Sequence, residues 1–261
     1  MRSVYVLFIY LIFVFVGAAL LAPWVFQFCQ FAAQHNSLFQ PLTKFPFYRF
    51  VNRSLFFLAF LGLWPFLRSL GIRKWEDLGF APIKFHLRKI PLGFFAGFCS
   101  LAIVAVMSVS FGTRTIDHQL SMETLAASLL GAAFTAMTVA ILEEALFRGA
   151  LFGGLRQDLP WPVALIVSSA IFGLVHFFAK PESPVSIHWY SGFVTLAGMF
   201  SGLVSFKTLM PGFLNLFIVG AILGFAFQRT GNLYFSIGLH AGWIFWMKFY
   251  GALTNKVART D

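Results

Sequence analysis

Two glutamates and an arginine interrupt an apolar run near the middle of the chain, in Ala140–Arg148. Glu144 and Arg148 are four residues apart, so on a helix they share one face and can neutralise each other. Glu143 is turned about 100° from Glu144 and has no partner on its own helix. Ionisable groups at membrane depth are costly and persist mostly where they pair or act. The spacing predicts an ion pair beside a carboxylate that is available for chemistry. The alternative is a purely structural ion cluster at a helix end.

Two histidines stand in later apolar runs. His176 follows Phe172 by one helical turn, and His240 lies in the run Gly238–Trp243. A lone histidine on an apolar helix is more often a hydrogen-bonded core residue than a catalyst, so neither indicates a site by itself.

The depth of these residues connects them. Asp158 and Pro160 mark a turn, and Glu143 and His176 lie almost equally far from it along the chain. At 1.5 Å per residue, an antiparallel helix pair brings both to roughly 25 Å from the turn. His240 enters from the opposite side and reaches roughly 12 Å. Glu143, His176 and His240 are therefore predicted to converge at one level.

A carboxylate and an imidazole that face one cavity can bind a water molecule and take its proton. A second histidine could donate a hydrogen bond to the oxyanion that forms when a carbonyl is attacked. The predicted chemistry is hydrolysis of an amide by activated water. Glu143, His176 and His240 could instead hold zinc, since one Glu and two His are standard zinc ligands. The chain has no HExxH motif, so we expect no cofactor, with zinc as the alternative.

The amino-acid composition indicates what kind of secondary structure must position these side chains. Hydrophobic residues make up 59% of the 261 residues and charged residues only 11%, whereas soluble domains carry about 25% charged residues. The predicted fold is an all-α, polytopic membrane bundle. The net charge of +10 comes from basic residues scattered between apolar runs, which is the membrane pattern and does not indicate nucleic acid. Cys29 and Cys99 form no CxxC motif and predict no disulfide.

Eight apolar segments are candidate transmembrane helices of about 20 residues. Ser54–Leu67 is the weakest, because only 14 residues separate Arg53 from Arg68. It must extend by snorkelling of its flanking residues, tilt, or lie in the membrane interface. The first could be a signal peptide, but its long uncharged run favours an uncleaved span. The eight are Val4–Phe28, Ser54–Leu67, Ile90–Gly112, Leu125–Gly154, Trp161–Ala179, Ile187–Phe206, Leu209–Phe227 and Leu233–Tyr250.

The predicted organisation has three parts. Residues 1–119 hold N-terminal transmembrane helices with a basic cytoplasmic loop, residues 120–250 form the catalytic helical core, and residues 251–261 form a short tail. About two thirds of the 19 Lys and Arg residues fall on one side of the eight spans, so both termini are predicted to be cytoplasmic. The pairs Gly198/Gly202 and Gly220/Gly224 predict close helix packing.

Three motifs together resemble the CPBP family of intramembrane proteases, also called Abi. They are Glu143-Glu144-x-x-x-Arg148, Phe172-x-x-x-His176 and the late His240. The family includes the type II CAAX prenyl endopeptidases and bacterial proteins linked to bacteriocin self-immunity. The resemblance covers roughly residues 120–250 and implies an eight-helix, glutamic-type protease. In it, Glu143 and His176 activate water, and His240 helps form the oxyanion hole. Glu144, Arg148 and Phe172 support them.

The chain departs from the family at one position. The last motif of the family usually reads HxxxN or HxxxD, but the fourth residue after His240 is Ile244. Asn215, Ser236 or the Trp243 indole could replace the missing donor.

The leading functional hypothesis is an intramembrane endopeptidase that cleaves a membrane-associated peptide or protein. A catalytically weakened membrane scaffold or immunity-type factor is the alternative. A transporter or a lipid-modifying enzyme ranks below both; for a transporter, no paired broken helices or repeated halves are evident. The compact length favours a bacterial inner membrane.

Overall fold

The computed structural model describes residues 2–117, 119–203 and 206–256, and these residues are mostly helical. The α-helices are α1 (Arg2–His35), α2 (Gln40–Thr43), α3 (Phe47–Ser69), α4 (Lys89–Ser110), α5 (Met122–Glu144), α6 (Gly153–Leu155), α7 (Trp161–Leu174), α8 (Ser191–Phe200), α9 (Phe206–Thr230) and α10 (Tyr234–Leu253).

Shorter elements complete this description. A π-helical segment, Ala145–Phe152, joins α5 to α6. Short 3-10 turns occupy Ser37–Phe39, Glu76–Leu78, Ile83–Phe85, Val175–Phe177 and Ser201–Leu203. Two three-residue strands, β1 (Arg114–Ile116) and β2 (Thr254–Lys256), pair antiparallel with Thr115 opposite Asn255.

Among the described residues, five helical segments are long and apolar enough to cross a membrane, and they confirm the predicted all-α polytopic bundle. They are Ser3–His35, Phe47–Ser69, Lys89–Ser110, Met122–Leu155 and Leu209–Thr230. Two further apolar helices, Trp161–Phe177 and Ser191–Leu203, are shorter. The number of eight spans stays a prediction.

Two predicted segments extend beyond the described residues. The sixth predicted span, Ile187–Phe206, includes residues 204 and 205, and the predicted tail includes residues 257–261; all of these lie outside the described residues. The division at residues 119 and 250 also stays a prediction.

The helix that contains the second predicted span is longer than the sequence suggested. It begins at Phe47, directly after Pro46 in an extended conformation. Pro46 lacks the N–H that a helix interior needs, so it fits the position before the first turn. Phe47 and Phe50 are buried and carry the apolar face past Arg53. The helix therefore contains the predicted span Ser54–Leu67 and extends it at both ends.

By contacts, the chain divides into two compact units. The first comprises Met1–Arg73 and Gly154–Gly220, and the second comprises Lys74–Gly153 and Ala221–Asp261. In the first unit α1 packs against α3 and α8. Its core includes Ala18, Ala22 and Val51, each almost completely buried.

Three of the four glycines that were predicted to pack closely do so, and these three lie in the first unit. A Cβ atom on Gly198 would lie 3.0 Å from the Pro181 side chain, and one on Gly220 would lie 3.1 Å from Ser169. A Cβ atom on Gly202 would overlap the Phe177 carbonyl oxygen. The interpretation of these three glycines as packing residues is confirmed.

The second unit is built on a closer contact between α4 and α10. Gly93 and Gly97 of α4 face Gly238 and Gly242 of α10, and a Cβ atom on any of the four would collide with the backbone of the opposite helix. This is a reciprocal pair of small-xxx-small motifs, which lets two backbones approach closely. Helix α10 also packs against α5, so α10 lies in contact with both helices.

Candidate active site

The centre of the candidate site is the carboxylate of Glu144, at the end of α5. Its Oε1 atom accepts a hydrogen bond from Arg148 Nη1 at 2.8 Å and lies 2.9 Å from His240 Nδ1. Exposure is 0% for Glu144, 2% for Arg148 and 6% for His240. The predicted Glu144–Arg148 ion pair is confirmed. The histidine contact to the same oxygen was not predicted.

The π-helical segment that carries Arg148 is held by a close backbone contact. A Cβ atom on Gly149 would lie 2.7 Å from the carbonyl oxygen of Leu78. Leu78 is a buried residue of the turn Glu76–Leu78. Insertions of π-helix into α-helices are found frequently at functional sites. Here the wider turn and the glycine bring the segment Glu76–Leu78 against the residue next to Arg148.

The contact with Glu144 determines which nitrogen of His240 carries a proton. A carboxylate only accepts hydrogen bonds, so Nδ1 of His240 must be the donor. The Nε2 atom then carries a lone pair in the neutral ring and an N–H in the imidazolium ring.

Glu143 lies on the other side of the same imidazole ring. Its Oε2 atom is 3.8 Å from His240 Nε2, and its side chain is 28% exposed. This separation is longer than a direct hydrogen bond. The predicted approach of Glu143 to His240 is thus present within the second unit, with Nε2 facing the more accessible carboxylate.

The glycine contacts between α4 and α10 hold His240 in this orientation. Gly238 and Gly242 flank His240 by two residues on each side, and both contact the α4 backbone. Because residues two positions apart on a helix lie on roughly opposite faces, His240 points away from α4. The close α4 packing therefore turns the imidazole toward α5 and its glutamates.

His176 lies in the first unit, in the 3-10 turn that follows α7. Its Nδ1 atom donates to the carbonyl oxygen of Phe172 at 2.7 Å, and the two rings are 4.8 Å apart. Because Nδ1 carries the proton, Nε2 of a neutral His176 has a lone pair that can accept one. Phe172 thus fixes the tautomer of His176. The approach of His176 to Glu143 and His240 stays a prediction.

Comparison with known proteins identifies the segment that contains these residues. Residues 125–246 match the family model described as Type II CAAX prenyl endopeptidase Rce1-like. The chain carries an Rce1-like domain. This confirms the resemblance to the CPBP family. Searches of curated proteins and of solved structures gave no match.

The Rce1-like domain contains Ile244 at the position where the family usually has Asn or Asp, and this side chain is 8% exposed. Two of the three residues that could replace the missing donor are engaged elsewhere. The Trp243 indole donates to Ser100 Oγ at 2.9 Å, and Ser236 donates to the Leu233 carbonyl oxygen at 3.0 Å. Asn215 lies in the first unit and is exposed. Within the second unit, the Trp243 and Ser236 protons are therefore directed to acceptors inside the protein.

The described side chains near His240 in the second unit offer few ligands for a metal ion. Within the described part of each unit, no group of three His, Cys, Asp or Glu side chains is arranged to hold a metal ion. Glu143 Oε2 and His240 Nε2 face each other, but Glu144 Oε1 is already shared between Arg148 and His240. Catalytic zinc sites use three protein ligands, so these residues alone fall one short.

Proposed function

We propose that the protein is an intramembrane endopeptidase that hydrolyses a peptide bond of a membrane-associated peptide or protein. The Rce1-like match over residues 125–246 and the apolar helices support a CAAX-type protease embedded in a lipid bilayer. The observation that carries the proposal is the His240 imidazole, which Glu144 holds through Nδ1 while Nε2 faces Glu143.

In the proposed reaction, Glu143 and His176 activate water. The water oxygen attacks the carbonyl carbon of the scissile bond while its proton passes to the Glu143 carboxylate. The carbonyl oxygen becomes an oxyanion, and the C–N bond then breaks as the proton is delivered to the leaving amine nitrogen. Free acid and free amine are the products.

His240 would stabilise the oxyanion by donating from Nε2. This requires the imidazolium form, because Nδ1 already donates to Glu144. A preorganised donor aimed at developing negative charge is a large contribution to catalysis, especially where water is excluded. Glu144 thus acts as a positioning residue, and the hydrogen bond from Arg148 holds the Glu144 carboxylate in place.

We propose a metal-free, glutamic-type mechanism. A zinc ion held by Glu143, His176 and His240 would instead polarise the carbonyl and activate water as a Lewis acid. In the second unit, the Nδ1 contact with Glu144 gives His240 a role that needs no metal. We also propose that both termini are cytoplasmic, from the distribution of Lys and Arg, and that the membrane is a bacterial inner membrane.

One observation favours a second function, that of a catalytically weakened membrane scaffold or bacteriocin-immunity-type factor. Ile244 cannot donate a hydrogen bond, and the protons of Trp243 and Ser236 are directed to other acceptors. A domain with a weakened oxyanion site could still bind its partner without cleaving it.

A cleavage assay with purified protein separates the two functions. The protein is incubated with membrane peptides in heavy-oxygen water, and the panel includes matched prenylated and unprenylated CAAX peptides. Mass spectrometry should detect a new carboxyl terminus that contains one heavy oxygen atom. Binding of panel peptides without any cleavage would support the scaffold function and contradict the protease.

A further inference from the structure

The first unit contains a cavity where α1, α2 and α3 meet. This cavity of about 390 Å³ is lined by the aromatic side chains of Phe26, Phe45 and Phe47, with Gln27, Thr43 and Ser183 among its polar neighbours. The backbone N–H of Phe47 donates to Ser183 Oγ at 2.8 Å, which connects the two sides of the cavity. The size falls in the range of ligand sites, roughly 300–1,000 Å³.

Two arginines of α3 stack on Phe45, one of the aromatic rings that line this cavity. The Cζ atoms of Arg49 and Arg53 each lie 4.8 Å from the centroid of Phe45. The two guanidinium groups therefore cannot be further apart than twice this distance. Both arginine side chains are exposed, while Phe45 is partly buried.

This arrangement of charge is unfavourable for the protein alone. Arg49 and Arg53 are four residues apart on α3, and like charges at this spacing destabilise a helix. Arg49 also lies in the first turn of α3, where the helix dipole is positive and disfavours cations. A cation–π contact with one ring does not remove the repulsion between the two guanidinium groups.

No acidic side chain among the described residues pairs with these arginines. Residues 1–73 contain no Asp or Glu. Glu182 is next to Ser183 of the cavity wall, but it is exposed and forms no ion pair with either arginine in the described structure. The charge pattern is complementary to an external anion.

We propose that Arg49, Arg53 and the adjoining cavity bind an anionic phospholipid. The two guanidinium groups would hold the headgroup phosphate, because their planar donors match phosphate geometry. The start of an acyl chain would lie against Phe26 and Phe47. A phospholipid fits because it combines an anion with an apolar chain, as the site combines two cations with aromatic walls.

Native mass spectrometry of the purified full chain in detergent tests this. Phosphatidylglycerol is titrated against phosphatidylcholine with matched acyl chains. Arg49→Gln and Arg53→Gln should each weaken phosphatidylglycerol binding about tenfold, the effect of losing one ionic contact. Arg68→Gln is the matched control, because Arg68 is an exposed arginine of the same helix that stacks on Trp64 at 5.1 Å; it should bind like the parent.

Thermal melting separates binding from a structural role. In neutral detergent the Arg49→Gln/Arg53→Gln variant should melt no lower than the parent, since a repulsion has been removed. Phosphatidylglycerol should raise the melting temperature of the parent and not that of the double variant. A lower melting temperature of the variant in neutral detergent would overturn the proposal, because the arginines would then be structural.

Two other results would also overturn the proposal. One is equal binding of phosphatidylcholine and phosphatidylglycerol to the parent. The other is full competition by soluble glycerol phosphate at the concentration of the lipid, which would show a site for free phosphate without a place for an acyl chain.

Discussion

Replacing Arg148 with alanine would remove one of the two hydrogen-bond partners of a fully buried carboxylate. Glu144 is 0% exposed and Arg148 is 2% exposed, and their atoms are 2.8 Å apart. Breaking a buried ion pair from one side costs about 3–5 kcal/mol, because the remaining charge loses its compensation. His240 stays 2.9 Å from the same oxygen and can carry a positive charge, so we expect the lower end, about 3 kcal/mol.

That loss is large compared with the stability of a typical domain, about 5–15 kcal/mol. Arg148→Ala should therefore lower both the amount of folded protein in the membrane and the melting temperature in detergent. Arg229→Ala is the matched control, because Arg229 is exposed and only stacks on Phe225 at 5.7 Å; exposed substitutions usually change stability by less than about 0.5 kcal/mol. If Arg148→Ala accumulates and melts like Arg229→Ala, the buried pair does not stabilise the fold.

Four further predictions follow from the second unit and from His176. Gly242→Val should lower the melting temperature strongly, since its Cβ would lie 2.8 Å from Phe98 N. Gly251→Val in the same helix meets nothing within 4 Å and should melt like the parent. Equal melting of the two variants would contradict the α4–α10 contact. Ile244→Asn should raise the hydrolysis rate, by up to about 10²–10³ for a restored oxyanion donor; an unchanged rate would show that Ile244 does not limit the reaction. His176→Ala should lower the rate by about 10²–10⁴ and leave melting unchanged, because the side chain is exposed; wild-type turnover would remove His176 from the mechanism. A chelator should leave the parent's activity intact, and inhibition that zinc reverses would establish a metal mechanism.

The parts of the site that could be predicted from the sequence depend on local geometry. The Glu144–Arg148 pair follows from the helix period alone, because residues four apart share a face. The Glu144–His240 contact joins residues 96 positions apart and depends on the rotation of α10. A signal for that rotation was present in Gly93/Gly97 and Gly238/Gly242, whose spacing matches the two glycine pairs that were interpreted as packing residues.

The ends of the helices were also difficult to predict from the sequence, for a different reason. Arg53 was interpreted as the end of an apolar span, yet α3 continues through it to Phe47. Arginine is a good helix former and can extend its charged group toward water while its stem stays on an apolar surface. A charge therefore bounds the apolar run without ending the helix. The length of α3 was set by Pro46 and by the burial of Phe47 and Phe50.

The most direct test of the proposed function is the rate of peptide hydrolysis by Glu143→Gln, measured beside its melting temperature. Glutamine keeps the shape of Glu143 but cannot act as a general base. Because the Glu143 side chain is 28% exposed and its ion-pair contact with His240 is 3.8 Å long, melting should stay close to that of the parent. The rate should fall by about 10²–10⁴. Hydrolysis by Glu143→Gln at the parent's rate would contradict water activation by Glu143 and the mechanism built on it.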